Sequence, residues 1–317
     1  MRSLHAVVDI GSNSAKLMIA ALEDGKLTPL VERVGTPRLG ELGESGEVTP
    51  QALDRLDRVL GRFRQTLSNT GLKPDRVVMT EAVRRAANRD EVVERAERAL
   101  RARPEIISGE EEAELAWLAV RVRHGVGGFA CLDVGAGSSE LSTKRSRLSI
   151  PMGALSLARE TGPTPQSGEI RTMLRERLDA YDFAPFAWRP VFVSGGTAVA
   201  LAAISLGVER LVPAELEGFV VEEGLIDRTA TRLRDLSEPV RSAMPGLEEG
   251  RSAIVVPGLQ MIAMVLERLH PVSTKVSALG VRYGALAKLL LPPPEELDEP
   301  EAVAPPEEPS TRRRRRR

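Results

Sequence analysis

Two short segments of the chain combine residue types that suit phosphate chemistry. In AVVDIGSNSAKLMIAAL and FACLDVGAGSSELST, an apolar run ends in an aspartate, a turn of small residues follows, and a second apolar run begins. Backbone N–H groups and hydroxyls in such a turn can surround phosphate oxygens, because small side chains allow a close approach. The predicted phosphate-binding residues are Gly11, Ser12, Asn13 and Ser14 in the first turn, and Gly135, Gly137, Ser138 and Ser139 in the second.

An aspartate precedes each turn, Asp9 in the first segment and Asp133 in the second. Carboxylates and waters are the usual ligands of the cation that phosphate transfer needs, so both aspartates are candidate ligands of Mg²⁺, with Mn²⁺ as the alternative ion. The plainer interpretation is a pair of β-turns whose aspartates hydrogen-bond their own backbone. A single turn would favour that interpretation, whereas the repeated pattern favours a clamp for phosphate and metal.

A third glycine turn, in VSGGTAVALAAI, places Gly195, Gly196 and Thr197 between a predicted strand and a predicted helix. Phosphate and nucleotides commonly bind at such a helix N-terminus. Tight packing of the helix against the strand would also require small residues there, so the motif alone leaves both interpretations open.

Three charged residues outside the turns are candidates for catalysis or phosphate binding. Glu112 lies three residues before Leu115 on the inward face of a predicted helix, which makes it a candidate general base. Glu140 follows the second turn and could face the same cleft, where it would help to hold water or metal. Arg84, one helical turn before Asn88, has the forked geometry that binds phosphate oxygens, although it would also be an ordinary solvated helix residue.

The elements that must position these residues alternate between strands and helices, which indicates an α/β protein. TPQALDRLDRVLGRFRQTL predicts a helix capped by Thr49, RVVMT and EIIS predict strands, and SGEEEAELAWLAVRV predicts a helix with a capping box of Ser108 and Glu111. The second half repeats the scheme, ending in the strand PVFVSG, a helix from Ala198 and two further helical patterns. We therefore expect two similar lobes that face a cleft.

The predicted domain boundaries follow from glycine content and composition. The N-terminal lobe comprises residues 1–127 and the C-terminal lobe residues 128–291, with a glycine-rich joint between them. Residues 292–317 are rich in proline and acidic residues and end in six arginines, a composition typical of disorder. The arginines could capture polyphosphate, but a solvated tail with nonspecific anion affinity is the simpler interpretation.

Composition argues against several classes of protein. The 317 residues carry a net charge of −1 and only 3% aromatic residues, so we expect neither a global field for anions nor an aromatic surface for single-stranded nucleic acid. A single cysteine, Cys131, excludes a disulfide framework, and the three histidines lack zinc-ligand spacing. Asp9 interrupts the N-terminal apolar run, so no signal peptide is predicted. We expect a cytoplasmic protein without a membrane or specific nucleic-acid partner.

Together the motifs resemble the exopolyphosphatase and guanosine pentaphosphate phosphohydrolase (Ppx/GppA) family of the actin-like ATPase superfamily. The resemblance runs through DIGSNSAKL, MTEAVRRAAN, EIISGEEEAELAWLAV, DVGAGSSEL, VSGGTAVAL and ALGVRYGAL, which span nearly all of residues 5–290. It implies two actin-like (RNase H-like) lobes with an interdomain cleft, as in the short family members without a C-terminal HD-type domain. Family members often dimerise, so a homodimer is a further expectation.

The resemblance also implies roles for individual residues. Glu112 corresponds to the family's catalytic glutamate, which activates water, and Arg84 corresponds to an arginine that contacts phosphate. Asp9 belongs to the first phosphate loop, while Asp133 and Glu140 form the acidic pair of the second and serve, with Asp9, as metal ligands. The implied enzyme is a Mg²⁺-dependent exopolyphosphatase that releases orthophosphate from the end of inorganic polyphosphate.

Four positions depart from the family's pattern. Ala136 replaces the middle glycine of the second loop, Glu81 replaces a small residue, Ala253 stands for an aspartate and Tyr283 for a glutamate. These changes leave substrate choice and rate open. The alternatives are a guanosine pentaphosphate phosphohydrolase, a nucleotide-dependent kinase or ATPase, and a non-catalytic sensor of polyphosphate or nucleotide.

Overall fold

The computed structural model describes residues 2–125, 127–209, 211–248 and 250–292. All but the first residue of the predicted disordered segment 292–317 lies outside the described residues. Within the described part of the chain, the strands form two five-stranded sheets, called here the first and the second sheet.

The first sheet and its helices come from the N-terminal half of the chain. Strand β1 pairs antiparallel with β2 and parallel with β4, and the sheet order is β3-β2-β1-β4-β5. The elements are β1 Ser3–Ile10, β2 Ala15–Glu23, β3 Lys26–Gly35, α1 Pro50–Asn69, β4 Arg76–Met79, α2 Glu81–Arg85, α3 Arg89–Leu100, β5 Glu105–Ile106 and α4 Gly109–His124.

The second sheet repeats this arrangement with the order β10-β9-β6-β7-β8, in which β6 pairs antiparallel with β7 and parallel with β9. The repetition confirms the predicted α/β fold of two similar lobes. The elements are β6 Ala130–Val134, β7 Ser139–Ser142, β8 Arg147–Ile150, α5 Ala154–Thr161, α6 Ser167–Leu178, a 3₁₀ turn at Ala184–Phe186, β9 Pro190–Ser194, α7 Gly196–Leu206, α8 Pro213–Leu216, α9 Leu225–Asp235, α10 Glu238–Ser242, α11 Val255–Leu269, β10 Ser273–Val276 and α12 Gly280–Leu290.

Helices α4 and α12 pack against each other and join the two halves of the molecule. A Cβ atom at Gly284 of α12 would overlap the carbonyl oxygen of Leu115 in α4, so the glycine permits this close approach. A shared apolar cluster surrounds the contact and contains Val7 of the first sheet and Phe192 of the second. Within it, Trp117 of α4 stacks on Phe129 with ring centroids 5.6 Å apart. The helix that carries Glu112 is therefore fixed by both sheets.

Most of the predicted elements are confirmed, with two local corrections. The side chain of Thr49 caps α1, as predicted, and Ser108 caps α4 by accepting from the Glu111 N–H. The predicted capping box is wrong in its second half, because the Glu111 carboxylate accepts a hydrogen bond from Arg76 at 2.8 Å instead. Asn88 does not continue the helix of Arg84, since α2 ends at residue 85.

The apolar stretch at residues 191–208 forms β9 and α7, as predicted. Among the described residues, no helix has the length and apolar character needed to span a membrane. The cytoplasmic location, the homodimer and the boundaries of the two lobes stay predictions.

Candidate active site

The two glycine turns have the same local geometry. Each connects a strand that ends next to an aspartate with an antiparallel partner strand. In the first turn the Gly11 N–H donates to the Ser14 carbonyl at 3.0 Å, and in the second the Gly135 N–H donates to the Ser138 carbonyl at 3.0 Å. Each bond closes a two-residue turn between paired strands, and the equivalence of the two turns places the same groups on both sides of a cleft.

N–H groups of neighbouring segments donate hydrogen bonds to carbonyl groups of the turns. Gly40 N–H donates to the Ser12 carbonyl at 2.7 Å, and Leu155 N–H donates to the Ala136 carbonyl at 2.8 Å. Among the described residues, the N–H groups of Asn13 and Gly137 make no backbone hydrogen bond. The Asn13 side-chain amide nitrogen is also buried without a partner. Unpaired donors at both turns suit phosphate oxygens.

A cavity of about 230 Å³ lies between the turns. Most of the predicted site residues line it, but Arg84, Ser139 and Glu140 do not. Ser139 is fully buried and its hydroxyl donates to the Met152 carbonyl at 2.7 Å, so the structure gives this residue a packing role. The predicted residues that line the cavity are Asp9, Gly11, Ser12, Asn13, Ser14, Glu112, Asp133, Gly135, Gly137, Ser138, Gly195, Gly196 and Thr197.

The two aspartates stand at the ends of equivalent strands and face this cavity. Burial raises the pKa of Asp9, against the opposing charges of Lys16 and Arg282. Burial also raises the pKa of Asp133 to about 6; Lys16 opposes this shift, and the nearby charge of Asp9 adds to it. The charge of Asp9 therefore disfavours the ionised form of Asp133, a condition that a bound cation relieves.

Glu112 and Glu140 form a second pair of buried carboxyl groups. Burial, together with the charges of Glu140 and Asp133, raises the pKa of Glu112 well above its usual value. Burial raises the pKa of Glu140 to about 8, and its hydrogen bonds from Ser138 and Ser149 oppose the shift. Among the described residues, one oxygen of each glutamate is buried without a hydrogen-bond partner. Such a pair can hold and move a proton.

The structure places Arg84 beside Glu112 rather than in the cavity. Its Nη1 atom lies 3.5 Å from Glu112 Oε2 and donates to the Ile107 carbonyl at 2.6 Å. This contact orients the glutamate and offsets its charge, and the phosphate-binding role of Arg84 stays a prediction.

The third glycine turn closes the cavity beside Asp133. Gly195 has a φ of +91°, and a Cβ atom there would overlap the Val134 carbonyl oxygen and lie 2.7 Å from Asp133 Oδ1. At Gly196, the first residue of α7, a Cβ atom would overlap the guanidinium of Arg251. Both glycines thus allow tight packing, and the guanidinium of Arg251 lies against the N-terminus of α7.

Sequence analysis missed the positive wall of the cavity, formed by Lys16, Arg251 and Arg282. Burial and the charges of the two arginines lower the pKa of Lys16. Among the described residues, no carboxylate forms an ion pair with the Lys16 ammonium group, whereas Arg251 donates to Glu248 at 2.5 Å and Arg282 to Glu32 at 2.5 Å. The alternation along β2 could have suggested Lys16, since it is the strand partner of Asp9. No sequence signal connects the two arginines with it.

Two departures from the family's pattern have simple structural outcomes. Ala136 lines the cavity without a positive φ, so the turn does not require glycine at this position. The hydroxyl of Tyr283 donates to the Leu27 carbonyl at 3.0 Å and ties α12 to the β2–β3 hairpin. Neither replacement removes a group that faces the cavity.

Whether the site fits a divalent cation depends on its carboxylates. Among the described residues, no three His, Cys, Asp or Glu side chains are arranged to hold a metal ion by themselves, so the predicted trio of Asp9, Asp133 and Glu140 is not gathered. Mg²⁺ commonly binds through one or two carboxylates, with waters and substrate phosphate as its other ligands. Asp9 and Asp133, two buried carboxylates on one cavity, fit that requirement.

Comparisons with known proteins agree with this geometry. A family model described as the Ppx/GppA phosphatase family matches residues 18–292. Exopolyphosphatase 1 of Mycobacterium tuberculosis is 29% identical over 303 residues, which cover 90% of this chain and 87% of that protein. Exopolyphosphatase 1 of Mycobacterium leprae is 35% identical over 184 residues, a match that spans 55% of this chain and 54% of that protein.

A solved structure shows the same fold. The crystal structure of the Ppx/GppA family member from Aquifex aeolicus superposes with a TM-score of 0.76 at 26% sequence identity. The superposition covers 92% of this chain and 98% of that chain. The similarity therefore includes both sheets and the cleft between them.

Proposed function

The chain belongs to the Ppx/GppA phosphatase family and is a phosphoric-anhydride hydrolase, and we propose that its substrate is inorganic polyphosphate. The enzyme would remove the terminal phosphate as orthophosphate. The observation that carries this proposal is the pair of equivalent turns across one cavity, with the buried Glu112 beside them. The names of the mycobacterial relatives support the same substrate.

The turns would bind the terminal phosphates. Backbone N–H groups of Asn13 and Gly137 and the Asn13 amide offer donors on both sides of the cavity. Lys16, Arg251 and Arg282 would neutralise the charges of the phosphates that follow. A linear polyanion suits this arrangement because it presents one charge for each of several successive sites.

Glu112 would act as the general base. In its ionised form it takes a proton from a water molecule, whose oxygen forms a bond to the terminal phosphorus while the anhydride bond to the next phosphate breaks. The electron pair of that bond leaves with the shortened chain, and the terminal group becomes orthophosphate. Arg84 offsets the negative charge of ionised Glu112, whereas the charge of Glu140 raises the pKa of Glu112.

A divalent cation, Mg²⁺ or Mn²⁺, would be held by Asp9 and Asp133 and would supply neutralisation of the charge on the transferred phosphoryl group. The fit rests on the two raised pKa values, since both carboxylates gain from a neighbouring positive charge. Glu140 does not line the cavity and would act through its effect on the pKa of Glu112.

The test is release of orthophosphate from long-chain polyphosphate with Mg²⁺, repeated with EDTA. We expect release with Mg²⁺ and its loss with EDTA. Binding of polyphosphate without any release, over a range of pH and metals, would contradict the proposal and support a sensor. Release from ATP that a small acceptor stimulates would instead support a kinase or ATPase.

The second candidate substrate is guanosine pentaphosphate, because apolar side chains also line the cavity. Val199, Leu216 and Ile254 are among them and could contact a nucleoside whose phosphates reach the turns. Turnover of long polyphosphate and of guanosine pentaphosphate should be compared at equal enzyme concentration. A higher kcat/KM for the nucleotide would replace polyphosphate as the preferred substrate.

A further inference from the structure

Glu81 connects the two phosphate turns through its carboxylate. It is the first residue of α2, and only 7% of its surface is exposed. The Ser12 hydroxyl in the first turn donates to Glu81 Oε2 at 3.0 Å. Arg85, one helical turn later and 60% exposed in its side chain, donates to Oε1 at 2.9 Å.

The same carboxylate packs directly on the second turn. A Cβ atom at Gly137 would overlap Glu81 Oε2 and would lie 2.6 Å from Glu81 Cδ and 2.7 Å from Ser12 Oγ. The absence of a side chain at position 137 therefore makes room for Glu81. Because Glu81 belongs to the first half of the molecule and Gly137 to the second, this contact joins the two sides of the cleft at the predicted phosphate site.

A fixed negative charge at this point conflicts with phosphate. Ser12 and Gly137 both line the cavity, and both are in contact with Glu81. A phosphate oxygen that accepts from the Ser12 hydroxyl must replace the carboxylate as acceptor, and it then brings a like charge close to it. Arg85 offsets part of the carboxylate's charge from the solvent side.

We propose that Glu81 is an internal competitor for the phosphate position, a residue that weakens the binding of orthophosphate. The inference rests on the proposed function, in which orthophosphate is the product left at the turns. After hydrolysis, Glu81 recovers the Ser12 hydroxyl and repels the product, so the site empties. The repulsion weakens the binding of a polyphosphate chain less, since Lys16, Arg251 and Arg282 hold its other phosphates. The residue therefore favours anchored chains over free phosphate.

The experiment is a calorimetric titration of orthophosphate into the full chain, with Mg²⁺ present throughout. Glu81→Gln keeps an acceptor for Ser12 and removes only the charge, so its Kd for orthophosphate should fall at least about fivefold. Arg85→Gln removes the positive charge that offsets the Glu81 carboxylate, so the Kd of this variant for orthophosphate should rise. Glu91→Gln removes one carboxylate from an exposed i,i+4 pair with Arg95 on α3 and should leave the Kd unchanged.

An unchanged or higher Kd in Glu81→Gln overturns the inference, as does an absence of orthophosphate binding in every variant. If Glu81→Gln does not fold, Arg85→Gln decides, and an unchanged or lower Kd there overturns the inference. The titration involves no turnover. A chain that binds orthophosphate as expected but hydrolyses no polyphosphate therefore loses the proposed function alone, and active hydrolysis with an unaltered Kd removes only the role of Glu81.

Discussion

Arg84 Nη1 lies 3.5 Å from Glu112 Oε2, in an ion pair that joins α2 to the start of α4. The same guanidinium donates to the Ile107 carbonyl, which fixes it just before α4 begins. Burial and the charges of Glu140 and Asp133 raise the pKa of Glu112, and Arg84 acts against that shift. The arginine is therefore a positioning and electrostatic partner of the proposed base.

Glu112→Gln should reduce kcat on polyphosphate by roughly 10²–10⁴, because the amide cannot accept the proton of the attacking water. Binding of the substrate should be retained, since the turns are unchanged. Glu110→Gln, two residues earlier on the exposed side of α4, is the matched control and should keep normal turnover. Normal turnover in Glu112→Gln would remove its role as base.

Arg84→Gln should shift the pH dependence of kcat/KM toward higher pH. A general base works in its ionised form, so activity rises with pH through the raised pKa of Glu112, and loss of the arginine raises that pKa further. The variant should be weak near pH 7 and recover part of its activity at alkaline pH. Arg89→Gln, at an exposed position on α3, should leave the profile in place. A uniform loss at all pH values would indicate a purely structural role.

Glu140→Gln should become more stable relative to wild type as pH rises. Burial raises the pKa of Glu140 to about 8 from 4.5, so the folded state holds this proton more tightly than the unfolded state. Its contribution is fully present below about pH 4.5 and is lost as pH rises toward 8, at up to about 1.4 kcal/mol per pH unit. Glutamine does not titrate. Denaturant unfolding at pH 5 and pH 8 in EDTA measures the difference, and an equal difference at both pH values would contradict the shift.

Lys16→Gln should raise the KM for polyphosphate about tenfold, since this cation faces the cavity and forms no ion pair within the described part of the chain. Lys16→Arg should retain most of the affinity because it keeps the charge. Lys26→Gln removes an exposed lysine that follows the same strand and serves as the control. Initial-rate kinetics measure the three variants, and equal KM values in Lys16→Gln and Lys26→Gln would exclude Lys16 from substrate binding.

Gly284→Ala should destabilise the protein by about 1–3 kcal/mol, because the added methyl group overlaps the Leu115 carbonyl where α12 crosses α4. Activity should fall as well, since α4 carries Glu112. Gly61→Ala, in open space on α1, should instead stabilise by about 0.5–1 kcal/mol. Chemical denaturation compares the two alanine variants, and a Gly284→Ala protein as stable as wild type would show that the helices can separate.

The fold and much of the site could be predicted from sequence because the information is local. The repeated strand, aspartate and small turn predicts both hairpins, and in each the glycine N–H donates to the carbonyl of the serine three residues later. The inward placement of Glu112 follows from helical periodicity and is confirmed by its 8% exposure. These features depend on residues within a few positions of one another.

Contacts between distant segments could not be predicted in the same way. Lys16 of β2, Arg251 before α11 and Arg282 of α12 meet only because three distant segments contribute to one cavity wall. The sequence around Arg84 is typical of an arginine that contacts phosphate. Its ion pair with Glu112, however, depends on where α4 begins relative to α2. In the sequence, Glu81 is only a departure from the family's pattern next to Arg84. Its contact with the second turn depends on Gly137, which belongs to the other half of the molecule.

The stacking of Trp117 provides the enzyme with an intrinsic fluorescent probe. The chain has two tryptophans, and the other, Trp188, stacks on His270 away from the cleft. In a Trp188→Phe protein, all indole emission comes from the helix of the proposed base, where the ring lies against Phe129 at the start of the second sheet. Any movement of that helix against the sheet changes the ring's surroundings, so stopped-flow fluorescence can report such a movement during turnover without a dye.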